Sequence, residues 1–227
     1  MLDFETAFPS VSRNQLYLTL HEQGIQGKML SVLKSLTKAH YVRVLHPDLP
    51  EDSFVEIERG LAEGSALSPR LFSIFLGTLL RKLKTAFLLS TCQGHDSRPW
   101  IGGLAYVDDL CLCSRCPEEL NKMITFTQQW AEDNGAKINY GKEKSEVIVF
   151  NETPEQKKER GHTVWAAQAR HPHRHAKVIQ EVNFFRYLGF TLYTKMDMDI
   201  QCTQIIKKIK ILRYSYVKST TVQYFPP

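Results

Sequence analysis

Residues 68–84 constrain the fold more than any other stretch of this chain. Ser68 reads as an N-cap, and Pro69 takes the first helical position, where its missing N–H costs nothing. The helix that follows runs to about Lys84. Leu71, Phe72, Ile74, Phe75, Leu76, Leu79, Leu80 and Leu83 wrap most of its circumference. A helix that is apolar nearly all round has to be covered on several sides, so the other elements are expected to assemble about it. At 227 residues and 43% hydrophobic content, the chain can bury such a core as one domain, or as one domain plus a fragment.

The neighbouring segments supply the cover. Leu2–Phe4 reads as the end of a buried strand. A helix follows, capped by Ser12 and stopped by Gly24. A second helix spans about Gly27–Lys38, with Met29, Leu30, Val32, Leu33 and Leu36 as its expected buried stripe. Tyr41–His46 and Ser53–Glu58 read as strands joined through Pro47-Asp48-Leu49-Pro50. Further along come a helix from Pro117 to Asn134-Gly135, a strand over Glu146–Phe150 and a strand pair over Phe184–Tyr193. A basic helix is expected around Ile200–Arg213, with a frayed tail at Tyr224–Pro227. This order predicts an α+β fold, with helices on one face of an antiparallel sheet and a connectivity close to split βαβ. Residues 151–177 are polar and contain His171, His173 and His175; they read as a solvated insertion rather than a metal-binding tract.

Several function classes are disfavoured. No apolar run approaches the roughly 20 residues that cross a bilayer, and Met1-Leu2-Asp3 shows no secretory leader. Cys111, Cys113 and Cys116 crowd one stretch without a second ligand pair at finger-like spacing, so they read as reduced thiols of an intracellular protein. A net charge of +5 and a pI near 8.9 permit a polyanionic partner without requiring one.

The chemistry centres on Ala105-Tyr106-Val107-Asp108-Asp109-Leu110. Two adjacent carboxylates repel each other, and placing them in mid-ribbon makes sense when a cation sits there. A Leu104–Val107 strand turning at Asp108-Asp109 and returning through Leu110–Cys113 puts both acids at a ribbon tip. Asp3 closes the first predicted strand. If that strand lies beside the ribbon, Asp3, Asp108 and Asp109 converge and could hold two Mg²⁺ ions, or Mn²⁺ with the same oxygen ligands.

Taken together, five segments resemble the reverse transcriptases, most of all those of non-LTR (LINE-type) retrotransposons. Leu2-Asp3-Phe4-Glu5-Thr6-Ala7-Phe8-Pro9-Ser10-Val11 is similar to the first palm motif, and Gly60-Leu61-Ala62-Glu63-Gly64-Ser65-Ala66-Leu67-Ser68-Pro69 to the second. Ala105-Tyr106-Val107-Asp108-Asp109 matches the catalytic box. Gly135-Ala136-Lys137-Ile138-Asn139 with Lys142–Glu146, and then Tyr187-Leu188-Gly189-Phe190, resemble the two motifs that follow. The five occur in family order across residues 2–193.

The resemblance implies an RNA-directed DNA polymerase palm over residues 1–193, carrying the polar insertion, and the start of a helical thumb over 194–227. Its partners would be an RNA template, a DNA primer and dNTPs, with no membrane. Its place would be intracellular, and nuclear if it is part of a functional retroelement. Asp3, Asp108 and Asp109 would be the catalytic metal ligands. Phe8 would stand against the sugar of the incoming nucleotide and exclude a 2′-OH. Gly64 and Ser65 would let backbone approach nucleotide and template. Tyr106 would pack near the primer end, and Lys144 would neutralise or protonate the departing pyrophosphate. Tyr187, Leu188 and Gly189 would form the primer grip, and Lys207, Lys208, Lys210 and Arg213 would track duplex phosphates.

Two departures from the pattern stand out. Pro9 occupies a position where many relatives carry Asp, and Glu63 one where many carry Gln. The first motif also begins at residue 2, so the resemblance implies that the fingers, which grip the triphosphate, are largely missing. The isolated chain is accordingly expected to be weak or inactive, or else a remnant that at most binds nucleic acid.

Overall fold

The computed structural model describes residues 1–38, 40–43, 50, 54–91, 100–168, 176–195, 202–203 and 206–207. Two units divide the chain: Met1–Val147 with Thr163–Gln180, and Ile148–His162 with Glu181–Pro227.

The first unit opens on β1 (Asp3–Glu5) and the single turn α1 (Ala7–Ser10). Helix α2 (Arg13–Glu22) starts where Ser12 accepts a hydrogen bond from the Gln15 amide at 3.4 Å. It stops in a paired C-cap: Gly24 (φ 87°) donates to His21 O at 3.0 Å, and Ile25 N donates to Leu20 O at 3.0 Å. Both ends fall where the sequence places them. Helix α3 (Gly27–Thr37) also matches in extent, but its stripe does not. Leu30 is buried and Leu33 half-buried, whereas Met29, Val32 and Leu36 are exposed. The reason is that α3 packs mainly along α2, and one neighbour can cover only a narrow stripe. Strands β2 (His40–Arg43) and β3 (Phe54–Ile57) pair antiparallel, from His40 opposite Ile57 to Arg43 opposite Phe54. Residues 44–49 and 51–53, which include most of the predicted connecting turn, lie outside the described residues.

Helix α4 (Ser68–Thr91) is the centre of this unit. Leu71, Phe72, Phe75, Leu76, Leu79 and Leu83 are buried along it, each contributing about 1.5–3 kcal/mol of transfer free energy. It outruns its expected end and leaves helical geometry at Phe87 (φ −123°, ψ 19°). Its start also differs from expectation. The buried Ser68 hydroxyl donates to Ala62 O at 2.6 Å, tying the helix back to the preceding loop instead of capping it.

Around α4 lie β4 (Gly103–Tyr106), β5 (Asp109–Leu112), α5 (Pro117–Asp133) and β6 (Lys137–Asn139). β4 pairs with β5 and β1 with β6, both antiparallel. An isolated antiparallel bridge between Leu2 and Leu110 joins the two pairs, giving the order β4-β5-β1-β6. Leu2, Phe4, Leu110, Leu112 and Ile138 form the buried side of this layer. The fold is thus a mixture of helices and small antiparallel sheets, as the α+β expectation requires.

The strand predicted over Glu146–Phe150 shortens to β7 (Glu146–Val147). The expected solvated insertion is largely structured. Helix α6 (Pro154–Arg160) begins in a capping box between Thr153 and Gln156, and β8 (Trp165–Ala167) buries Trp165 and Ala167 while packing on α5. A polar average across the segment conceals these two short signals. β8 and β7 flank β9 (Lys177–Glu181) in a three-stranded sheet. His171, His173 and His175 lie outside the described residues.

In the second unit, β10 (Phe184–Tyr187) and β11 (Phe190–Tyr193) form an antiparallel hairpin. Arg160 on α6 grips two carboxylates at once: Nε and Nη2 meet Glu152 at 2.6 and 2.9 Å, while Nη1 and Nη2 meet Glu181 at 2.9 and 3.0 Å. The guanidinium holds the Glu152 carboxyl below the usual carboxylate range. Of the predicted basic helix, Cys202, Thr203, Ile206 and Lys207 have helical backbone. Lys208, Lys210, Arg213 and the tail at 224–227 lie outside the described residues, so the expected thumb does too.

Candidate active site

The ribbon turns one residue earlier than the sequence suggests. Tyr106 pairs with Asp109, so Val107 and Asp108 form the turn and Asp109 is the first residue of β5. Val107 takes φ 56°, a left-handed conformation that a β-branched residue adopts at a cost of about 1–3 kcal/mol. What holds it there is the strand behind it. Leu110 and Leu112 are buried, and Leu110 exchanges backbone hydrogen bonds with Leu2 at 2.7 and 3.4 Å.

That same exchange fixes the site. The antiparallel register pairing Leu2 with Leu110 sets Asp3 opposite Asp109. With Leu2, Phe4, Leu110 and Leu112 directed into the core, Asp3 and Asp109 share the other face by strand alternation. Burial raises the Asp109 pKa, and the charges of Asp108 and Asp3 raise it further. The structure therefore brings the three predicted carboxylates into electrostatic contact. Their donor chemistry, oxygen alone, suits a hard divalent cation. Among the described residues, no three potential ligands are arranged as a closed metal cage. Lys144 is the cation at hand, with Nζ 3.7 Å from Asp3 Oδ2, and it is more than half exposed.

Phe8 is half-buried, edge-on to Phe72 with ring centroids 5.6 Å apart, so one end of the ring is fixed by the core helix. Thr6, which precedes α1, also adopts left-handed backbone, at φ 44°. The segment carrying Phe8 is stitched to the loop carrying Gly64. Leu61 N donates to Phe8 O and Gly60 N donates to Val11 O, each at 2.9 Å. A Cβ on Gly60 would stand 2.7 Å from both Cα and O of Pro9, so Gly60 and Pro9 form a single close-packed contact. Gly64 is different: at φ 79° its backbone favours glycine, while the space its Cβ would fill is open. Ser65 sits in the same turn and accepts from Leu67 N at 3.3 Å. Tyr106 is exposed on the strand that carries the turn.

Tyr187, Leu188 and Gly189 form the tip of the β10–β11 hairpin in the second unit. Leu188 (φ 48°) and Gly189 (φ 84°) are its two turn residues.

Two supporting residues escaped the sequence reading. Buried Ser145 accepts from the Asp3 amide at 3.1 Å and so anchors the backbone that presents the carboxylate. Buried Arg13 donates to Gly60 O at 2.8 Å, Lys38 O at 2.9 Å and Arg59 O at 3.4 Å, fastening α2 to the approach of the glycine loop. Neither has a sequence signature. Both act on backbone groups far away along the chain, which only the folded register brings near.

Comparison with known families adds one finding. The family model described as reverse transcriptase (RNA-dependent DNA polymerase) matches residues 1–192. No curated protein matches the chain.

Proposed function

We propose, given that this chain belongs to the reverse transcriptase family, that its first unit carries the nucleotidyl-transfer site of a LINE-type retroelement polymerase. The observation that carries this reading is the bridge between Leu2 and Leu110, which sets Asp3 opposite Asp109 with Asp108 beside it. Three carboxylates whose mutual repulsion raises one pKa are poised for a divalent cation, since binding it relieves the repulsion. The residues that would hold Mg²⁺ or Mn²⁺ are Asp3, Asp108 and Asp109. When bound, the metal would supply an activated primer 3′-hydroxyl and charge relief on departing pyrophosphate.

The chain's own residues divide the remaining work. Phe8, braced on Phe72, offers a ring edge against the sugar of a dNTP. The open space above Gly64, with Ser65 beside it, admits nucleotide or template backbone. Exposed Tyr106 offers a stacking surface to the primer end. Lys144 leaves Asp3 when a cation arrives and is then free to meet the pyrophosphate. Tyr187, Leu188 and Gly189 serve as primer grip.

Primer extension on an RNA template, with dNTPs and either Mg²⁺ or Mn²⁺, tests the reading together with Mn²⁺ binding followed by electron paramagnetic resonance. The expected result is Mn²⁺ binding that D109N abolishes, with any extension lost in the same variant. Unchanged Mn²⁺ binding in D109N would overturn the assignment.

A further inference from the structure

We propose that Cys111 and Cys113 form a two-thiolate site for a soft divalent cation of the zinc class, on the same sheet face as Asp109. Strand alternation gives Asp109, Cys111 and Cys113 one side of β5, while Leu110 and Leu112 fill the core on the other. The two sulfurs lie 4.0 Å apart, both thiols are free, and both side chains are half-buried. Two Zn–S bonds of about 2.3 Å meeting at a tetrahedral angle place their sulfurs about 3.8 Å apart. A disulfide needs a separation of about 2.05 Å, so the observed spacing matches shared coordination far better than oxidation.

The spacing is built in. Leu110 is locked to Leu2 and Leu112 pairs with Gly103, so the backbone between the two cysteines cannot easily shift. Binding exchanges two S–H bonds for two metal–sulfur bonds, and both protons go to solvent. Among the described residues no third His, Cys, Asp or Glu completes the set, so water takes the remaining positions and the site stays open. An open site with two protein ligands binds reversibly, and exchange with solvent is fast.

The consequence for catalysis rests on the reading of Asp109 given above. A doubly charged ion one strand repeat away, on the same face, would repel the hard cation that Asp109 and Asp3 are arranged to receive. Thiophilic metal would then act as an inhibitor of the site, competing through charge without sharing its ligands.

Cd²⁺ is the probe, because its thiolate charge-transfer absorption reports sulfur coordination directly. The whole chain titrated with Cd²⁺ should show the band saturating near one equivalent, and Zn²⁺ should displace it. C111S and C113S should each weaken binding by at least about tenfold, whereas C116S should leave it unchanged. Cys113 lies just past the end of β5, so C113S disturbs the sheet least, and far-UV circular dichroism shows whether each variant is folded. Wild-type affinity in folded C113S, or no band in the wild-type chain, would overturn the site. D109N should keep the band. A retained band alongside unaltered Mn²⁺ binding in D109N would remove the catalytic reading while leaving the thiolate site standing.

Discussion

Two hairpins in this molecule have two-residue turns, and both put a bulky aliphatic residue into left-handed backbone: Val107 at φ 56° and Leu188 at φ 48°. They are supported in different ways. At the β10–β11 tip, Leu188 is followed by Gly189 at φ 84°, so both turn residues have the positive φ of a type I′ turn, whose twist suits a hairpin. Its strands pair only with each other among the described residues, and Phe184, Leu188 and Phe190 are exposed. At the β4–β5 tip only Val107 has positive φ, a pattern that favours glycine there. That strain persists because β5 is fastened on three sides, by β4, by the Leu2 bridge, and by Leu110 and Leu112 in the core. A strained turn survives where the surrounding structure over-determines it, and here the over-determined turn carries the carboxylates.

The largest effect expected from this contrast follows from D108N/D109N. Removing both charges from the β4–β5 tip should lower any templated synthesis by about 10³-fold or more, since the cation-holding groups supply most of the transition-state charge relief. Binding of primer–template should persist, because phosphate contacts lie elsewhere. A filter-binding assay run beside primer extension checks both halves. Equal losses of binding and synthesis would break the comparison by making the tip a general nucleic-acid surface.

A smaller, sharper contrast comes from relieving strain at each tip. L188N places a residue that tolerates left-handed backbone ahead of Gly189, the favoured type I′ sequence, and should stabilise the second hairpin by about 0.5–1 kcal/mol. V107G removes comparable strain but adds the unfolded-state entropy of glycine, so its net effect on stability should lie within about 1 kcal/mol of zero. Its cost should appear in function, as weaker Mn²⁺ binding from carboxylates no longer held in place. Denaturant unfolding of both variants, with Mn²⁺ titration of V107G, would show whether strain is tied to the site. Unaltered Mn²⁺ affinity in V107G would mean that it is not.

Much of this was legible in the chain because it depends on local rules. The capped and glycine-stopped α2, the apolar α4 and the paired acids all announce themselves over a few residues. What could not be read depends on partners. Nothing near Met29, Val32 and Leu36 says that α3 has one neighbour, and no local pattern ties Ser145 to Asp3 or Arg13 to Gly60. The turn at Val107-Asp108 was misplaced by one residue because propensity rules send turns to Asp-Asp and keep valine in strands. Cross-strand register overrides that preference: with Tyr106 opposite Asp109, Leu110 and Leu112 face the core, and a one-residue slip would bring them out. A local rule therefore fails at the residue where packing forces the strained conformation.

The smallest expected effect tests the same point through stability. Asp109 has a raised pKa, caused first by burial and then by Asp108 and Asp3, so the native fold holds this proton more tightly than the unfolded chain does. The resulting penalty on the fold is absent below the unfolded value of about 3.9, grows as pH climbs through the native value, and is complete above it. D109N removes the charge and with it the penalty. Its melting temperature should exceed the wild type's by on the order of 1–2 °C at neutral pH, a modest figure because the group is partly solvated. The gap should close on acidification below about pH 4. It should also narrow at neutral pH when Mg²⁺ is added, since cation binding stabilises only the chain that retains the carboxylate. Calorimetry across this pH range, with and without Mg²⁺, separates the cases. A D109N variant less stable than wild type at neutral pH would show that Asp109 supports the fold, and the β4–β5 tip would then be strained for structure and not for a cation.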